Sequence, residues 1–441
     1  MKSLINTVPS DWSTQQVRFF SNTYSGGTPL RSNEQFYSGN INWVKSSELK
    51  NKYLYETEEH ISEEGLKKSS ARYVEPDTIL YAMYGATAGD ISILKTKSTT
   101  NQAVLAIPIN KSVIINEYLY YQLKYKTEKL KFITQGGGQP NLSKRIVDRT
   151  PISYPRSLDE QKAIAGILSK VDKDIEAVEN SIKASELLKK SLMQNLLTGK
   201  MKPDGSRRSE KELFMTKYGL AVKSWVYCQI KDLIKDGYII GLQDGNHGES
   251  HPVSAEFVSE GIPFVMASDI SKGFLDVKKC KKITKDRAEK LRVGFAKNGD
   301  VLLSHKASVG YTCIVENVDP YVMLTPQVTY YRLDQRKLIP EYLKIFFQMY
   351  SFQCNLEGLA KQSTRNYIGI TSQKKMWIYL PDNIEEQRKV VDPIIKVDDQ
   401  IVNKKSKIES LKTLKKSLMQ NLLTGKVRLN VEKINKLLEE A

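Results

Sequence analysis

The chain has 441 residues, 40% of them hydrophobic, and its 67 Lys and Arg outnumber 50 Asp and Glu to leave a formal net charge of +17. That length exceeds one ordinary core and suits two domains of about 150 to 200 residues, while the basic excess favours a polyanionic partner, nucleic acid first. No segment holds the roughly 18 to 20 consecutive apolar residues of a membrane span, and MKSLINTVPSDW lacks the core of a signal peptide, so a cytoplasmic protein without a membrane partner is expected.

Residues 1–156 mix short apolar or β-branched runs, such as TILYAMY and QAVLAIPI, with Gly, Pro, Asn and Asp punctuation and one helical stretch near EYLYYQLKY. This pattern predicts a compact mixed α/β globule. Residues 157–200 differ in kind. Ile164, Leu168, Val171, Ile175, Val178 and Ile182 alternate spacings of four and three, and Leu188, Leu192 and Leu196 continue after a shift in phase, which predicts a coiled-coil seam on one long helix. A basic linker follows at 201–215 and reads as a solvated tether carrying Lys202, Arg207, Arg208 and Lys211.

Residues 216–382 return to the globular pattern, and 383–426 form a second spacer helix with its seam at Val390, Ile394, Val397, Ile401, Ile408, Leu411, Leu414, Leu418 and Leu422, interrupted by Lys404. Pro393 predicts that this helix starts late or kinks. Both helices end on Thr-Gly-Lys, where Gly199 and Gly425 suit a left-handed C-cap, and 427–441 is a tail. The widely spaced Cys228, Cys280, Cys313 and Cys354 form no CxxC pair and read as reduced, mostly buried thiols.

The thirteen residues LKKSLMQNLLTGK occur unchanged at Leu188 to Lys200 and at Leu414 to Lys426. At the same offset of 226, Glu160-Gln161-Lys162 falls on Glu386-Gln387-Arg388 and Val171-Asp172 on Val397-Asp398. Upstream, EYLYYQLKY resembles EYLKIFFQMY, NQAVLAI resembles PQVTYYRL and INWVKSSEL resembles IPFVMASDI, so two copies of one unit fill almost the whole chain. The expected fold is α+β: two tandem mixed α/β globules separated by two long antiparallel coiled-coil helices related by a pseudo-two-fold repeat. Each helix of about 40 residues rises roughly 60 Å with an apolar stripe whose obvious partner is the other copy.

Signs of chemistry in the chain itself are weak. Asp319-Pro320-Tyr321 has one Pro where the turn of an amino-methyltransferase has two, and it fits a loop between strands. Gly136-Gly137-Gly138 is no GxGxxG, and neither TGK has the upstream Gly or the following Ser or Thr of a P-loop. His247 and His251 share a helical spacing, but Gly245, Gly248 and Pro252 argue for a polar loop that brings His247 to a phosphate or base edge rather than to a metal. Two alternatives remain beside a DNA reader: a non-catalytic coiled-coil scaffold, or the recognition part of a single-chain modification enzyme.

The order of a GGTP start (Gly26 to Pro29), an INWVK strand, a GATAG loop, an EQK or EQR helix start and an LLTGK helix end, traversed twice, resembles the specificity subunits of type I restriction-modification systems. The resemblance implies two target recognition domains that each read one half of a split site in double-stranded DNA. It also implies helices that set the spacer and hold two methyltransferase subunits, with motor-nuclease subunits further out. S-adenosylmethionine and ATP would belong to those partners, leaving this chain non-catalytic and without a cofactor. Base readout needs polar side chains on loops or helix ends, and phosphate contacts use cations, hydroxyls and amides near Gly. The candidates in the first reading segment, Ser21 to Asn141, are Lys45, Ser46, Ser47, Tyr84, Gly85, Thr87, Gln139 and Asn141. In the second, Gly237 to Asn366, they are His247, Ser268, Lys306, Ser308, Arg365 and Asn366.

Overall fold

A computed structural model describes residues 8–134, 141–246, 251–361 and 366–440. The chain divides into two compact units, residues 1–180 with 405–441 and residues 181–404. Each unit therefore combines one globular part with a length of both long helices.

In the first unit a five-stranded sheet runs in the order Tyr24–Ser25, Val104–Ile107, Ile79–Ala82, Ile91–Leu94 and Tyr53–Leu54. A four-stranded sheet runs Glu59–Ile61, Ile41–Val44, Ser98–Thr100 and Tyr73–Val74, with Trp43 and Thr99 paired in parallel. The strands Ile79–Ala82, Ile91–Leu94 and Val104–Ile107 are buried at every position, as runs broken only by Ser92 require, because both faces are covered. The helix Asn116–Thr134 packs on one face through Tyr118, Leu119 and Tyr121. The strand Trp12–Gln16 pairs antiparallel with Pro151–Pro155 and leads the chain into the first long helix, Leu158–Leu192.

The second unit repeats this scheme. Val226–Gln229 pairs with Trp377–Leu380 ahead of the second long helix, Ile384–Leu422. One sheet runs Ile239–Asp244, Val328–Leu333, Val301–Lys306 and Ser308–Ile314. The other runs Phe257–Val258, Lys281–Ile283, Ile262–Val265, Val322–Leu324 and Phe295–Ala296, again with one parallel pair, Phe264 with Met323. The internal repeat is thus a repeat of topology. Both units are mixed α/β, and the fold class is α+β.

Identical devices attach each globule to its helix. Ser157 Oγ accepts from the Glu160 amide and Asn383 Oδ1 from the Glu385 amide, capping the two helix starts, and acidic residues fill both first turns. Gln161 is fully buried; its Nε2 donates to the Val113 and Pro155 carbonyls while its Oε1 accepts from the Ile115 amide. Gln387 does the same with Lys337, Pro381 and Ile339. Tyr118 donates to the Ser153 carbonyl and Tyr342 to the Tyr379 carbonyl.

Within each unit the two helix lengths run antiparallel. In the first, Asp172 pairs with Lys415, Glu160 with Arg428, and Ile164 and Leu168 share a core with Leu422 and Leu423. In the second, Asp398 pairs with Lys189 at 2.7 Å, Glu386 with Arg208 at 2.8 Å, and Val390 and Ile394 share a core with Leu196 and Leu197. The same repeat positions meet in both places, except that Arg208 lies six residues beyond Lys202, the counterpart of Arg428 at the offset of 226. Gly199 (φ 66°) and Gly425 (φ 70°) close the helices in the left-handed conformation.

Four expectations change. The second helix begins at Ile384 and runs through Pro393. A helix-interior Pro costs about 3 kcal/mol, and burying the flanking Val390, Val391 and Ile394 returns about 1.5 to 3 kcal/mol each, so packing outweighs the lost hydrogen bond. Leu188 and Leu414 leave the seam and are exposed at 50% and 48%. In the second unit Ser185 and Lys189 are turned inward instead, Lys404 Nζ donating to Ser185 Oγ at 2.7 Å and Lys189 pairing with Asp398. The 201–215 linker is folded rather than a tether: Met201 bridges Arg207, and the Arg208 guanidinium packs on Trp225 while donating to the Gly199 carbonyl and Glu386. Of the thiols, Cys280 and Cys313 are buried, Cys228 is half-buried and Cys354 is exposed. Among the described residues no helix is long and apolar enough to cross a membrane.

Candidate nucleic-acid interface

In the first unit the short segment Asn101 to Ala103 organises the candidate edge. The Asn101 amide donates to the Val44 carbonyl at 2.9 Å and the Met83 amide to the Ala103 carbonyl at 2.8 Å. The loops leaving Ile41–Val44 and Ile79–Ala82 therefore emerge on either side of it. The first carries Lys45, Ser46 and Ser47; the second carries Tyr84, Gly85 and Thr87. The Leu142 amide donates to the Met83 carbonyl at 2.9 Å, which sets exposed Asn141 beside the Tyr84 turn. Gly85 has φ 77° and open space where a Cβ would stand, so its backbone is free to approach a ligand closely. Tyr84 is exposed and Thr87 half-buried.

Lys45 is already engaged. Its ammonium lies 3.0 Å from both Glu58 and Glu59, and hydrogen bonds to Glu59 and then Glu58 hold its pKa above the usual lysine value. Ser46 is half-buried in the turn Ser46–Glu48, whereas Ser47 is exposed. Arg31 lies 4.4 and 4.8 Å from the Tyr37 and Trp43 ring centroids and pairs with Glu59 at 2.6 Å. The Arg31 guanidinium, ahead of Lys45, keeps the Glu59 carboxyl below its ordinary range. The Gly26-Gly27 pair of the GGTP start is structural. A Cβ on Gly26 would lie 1.9 Å from the Thr100 carbonyl oxygen, and the Gly27 carbonyl accepts from the Trp43 indole.

The second unit has the equivalent hub. The Thr325 amide donates to the Val265 carbonyl at 3.0 Å and the His305 amide to the Gln327 carbonyl at 2.9 Å. Gln327 Oε1 also accepts from the Ala267 amide at 3.4 Å, tying down the turn Ala267–Ile270 that exposes Ser268. Ala307, at φ 65°, turns the chain between Val301–Lys306 and Ser308–Ile314, and its amide donates to the Asn366 carbonyl at 3.1 Å. This brings Lys306, exposed Ser308 and exposed Asn366 together, with the Lys306 ammonium 6.0 Å from the Tyr367 ring centroid. A cavity of about 350 Å³ lies alongside, lined by His251, Phe257, Phe264, Met266, Lys306 and Gln327 among others. Gln139, His247 and Arg365 lie outside the described residues.

Sequence reasoning passed over Gln102, exposed on the first hub, and Gln327 on the second. Aligning NQAVLAI with PQVTYYRL puts Gln on Gln, but the hubs put Ala103 in the place of Gln327, one residue out of that alignment. Both edges offer amides, hydroxyls and backbone N–H groups on loops held by rigid strands, the chemistry of hydrogen bonding to base edges and phosphates. Among the described residues no three His, Cys, Asp or Glu side chains gather as metal ligands would.

A family model for the type I restriction modification DNA specificity domain matches residues 9–185. Over 446 aligned residues the chain is 25% identical to the type I restriction enzyme MjaIX specificity subunit of Methanocaldococcus jannaschii, covering 96% of this chain and 95% of that one. It is 21% identical over 324 residues to the type I restriction enzyme EcoBI specificity subunit of Escherichia coli, covering 72% and 66%. Among solved structures, the S subunit of a type I restriction-modification system from M. genitalium superposes with a TM-score of 0.58 at 12% identity, covering 95% of this chain and 97% of that one. A chain from a structural study of type I complex assembly and conformational transition gives 0.58 at 15% identity, covering 96% and 100%. These structural likenesses carry the fold, a two-domain α+β chain with long helices. Residues 9–185 match the type I restriction modification DNA specificity domain, and over nearly its whole length the chain is similar to type I restriction enzyme specificity subunits.

Proposed function

We propose that the chain reads a bipartite sequence in double-stranded DNA, one half with each globule, and performs no chemistry itself. The observation that carries this reading is the repeated hub. Two domains of the same topology present loops with different side chains at the same place: Lys45, Ser46, Ser47, Tyr84 and Thr87 in one, and Ser268, Lys306, Ser308 and Asn366 in the other. A shared scaffold with diverged tips is what two readers of different short sequences need. Asn141, Gly85 and Gln102 join the first set, and Gln327 joins the second. Lys45 serves by positioning its loop through Glu58 and Glu59, while Lys306 offers its charge to a phosphate or a guanine edge.

In this reading the long helices fix the number of unread base pairs and hold two methyltransferase subunits, which bring S-adenosylmethionine. Motor-nuclease subunits bring ATP. Exchanging residues 1–156 for the matching domain of another specificity subunit is expected to change one half of the methylated sequence and leave the other half and the spacer intact, read by methylation-sensitive sequencing. Unchanged methylation, or change in both halves, would overturn the proposal. Binding of the assembled methyltransferase to its site is expected to weaken steeply with salt as phosphate counterions are released.

A further inference from the structure

The two units carry the same strand to the candidate edge and treat the ground beside it differently. Trp43 and Phe264 occupy one register. Each sits one residue before the valine whose carbonyl takes the hub amide, and each pairs in parallel with the strand that enters the hub. In the first unit the chain fills this ground itself: the Arg31 guanidinium lies over the Tyr37 and Trp43 rings, and Glu59, paired opposite Trp43, ties it to Lys45. In the second unit those residues are exchanged. Met266 stands at the position of Lys45, Lys281 is paired opposite Phe264 where Glu59 faces Trp43, and His251 precedes the turn Ser254–Glu256 as Arg31 precedes Glu34–Tyr37. Beside Phe264 lies the cavity of about 350 Å³.

The lining of that cavity describes an occupant. Phe257 and Phe264, with ring centroids 6.1 Å apart, and the thioether of Met266 supply apolar faces. Thr325 lines it at 4% exposure, and the Thr325 hydroxyl has no hydrogen-bond partner among the described residues. A buried hydroxyl held without a partner is destabilising, so its place on a cavity wall marks where a ligand atom belongs. Gln327 Oε1 is taken by the Ala267 amide, which leaves its Nε2 to donate. Lys306 lines the same cavity and shares the edge with Ser308 and Asn366. Aromatic faces, two polar groups and an ammonium together suit a planar heterocycle joined to a phosphate, and the volume is that of a small-ligand pocket.

We propose that this cavity receives one nucleobase of the half-site read by the second unit, turned out of the duplex. The inference rests on the DNA-reading role proposed above. Phe257 and Met266 pack against the faces of the base, Thr325 and Gln327 hydrogen-bond its polar edge, and Lys306 meets the phosphate of the same nucleotide. Stacking on the cavity wall and the satisfied hydroxyl offset the unstacking of the duplex. The first unit, where Arg31 and Lys45 are committed to Glu59 on the same ground, reads its half without turning a base out.

The test uses the full-length chain assembled with the methyltransferase subunit of its own system, on the site returned by methylation-sensitive sequencing. Each base pair is replaced in turn by a mismatch and the affinity measured. A mismatch weakens a reader that needs the base stacked and paired, and helps one that turns it out, because the unpairing is already done. Bases that become methylated are set aside, since the enzyme acting on them must extrude them too. One remaining position, in the half that exchange of residues 1–156 leaves unchanged, is expected to bind about tenfold tighter when mismatched, and none in the other half. Met266→Trp, which fills the cavity, is expected to abolish that gain and keep the wild-type response to mismatches in the first half. Thr325→Val, close to isosteric, is expected to reduce it, and carries the comparison if Met266→Trp melts below wild type. Wild type that every mismatch weakens, or a gain unchanged in both variants, would overturn the cavity assignment alone. Wild type without salt-dependent DNA binding would overturn the reading beneath it as well.

Discussion

Replacing Gln161 with Leu removes the joint by which the first globule holds its helix. The side chain is fully buried and serves three backbone groups, accepting from Ile115 and donating to Val113 and Pro155, each at 3.0 Å. Leucine fills the space but leaves one amide and two carbonyls without partners. A stranded buried polar group costs about 1 to 3 kcal/mol, and the buried leucine returns part of this, so the loss is expected at about 3 to 5 kcal/mol. Gln161→Glu retains the acceptor for Ile115 while turning an oxygen toward two carbonyls, and should lose about 2 to 3 kcal/mol. Because the chain forms two compact units, hydrogen exchange resolved by segment is the appropriate assay. In Gln161→Leu the Ile115 amide should lose protection while the Ile339 amide keeps it, and Gln387→Leu should reverse the pattern. Wild-type protection at Ile115, or a loss below about 1 kcal/mol, would refute the joint.

Burial lowers the Lys52 pKa to about 8, and the side chain donates to Tyr121 and Ser169. The unfolded chain holds that proton to higher pH, so this group's contribution to stability rises from about pH 8 toward 10. Relative to Lys52→Met, wild type should gain about 1 to 2 kcal/mol over that window, discounted for partial exposure; a pH-independent difference between the two in urea titrations would contradict it. Burial raises the Cys228 thiol to about 11 and those of Cys280 and Cys313 to about 12. Iodoacetamide on the folded chain at pH 8 should label exposed Cys354 first and leave Cys280 and Cys313 unmodified, and peptide mass spectrometry showing early Cys313 labelling would contradict this. Exchanging the charges of Asp398 and Lys189 together should restore most of the roughly 1 kcal/mol lost in either single change; a double variant no more stable than the worse single one would remove that pair from the account.

Period and repeat were the most legible features. The four-three spacing gave the long helices, and the offset of 226 gave two equivalent halves, because both depend on local composition. The caps Ser157 and Asn383 lie close in sequence to Gln161 and Gln387, yet the targets of the two glutamines, at Val113 and Lys337, could not be read from it. The candidate edges were half legible. Loop residues such as Tyr84 and Lys306 stand out by type and position, but the Glu58 and Glu59 carboxylates that occupy Lys45 arrive from another strand. A seam followed by counting overran at Leu188 and Leu414, where Ser185 and Lys189 turn inward in the second unit and Lys415 pairs with Asp172 in the first.

The repeated LKKSLMQNLLTGK separates what the sequence determined from what the structure decided. Sequence alone set that both copies are helical, that both end at a left-handed glycine, and that one surface is written twice. Tertiary contacts chose the rest. Met193–Leu197 forms a π-turn in the first copy, whereas the same residues stay α-helical to Leu422 in the second. A Cβ on Gly199 would run into Val222, Arg208 and Trp225, and one on Gly425 into Pro9 and Trp12. Thirteen identical residues have identical local preferences, so only the different neighbours at their C-terminal ends could select between two backbones of similar energy.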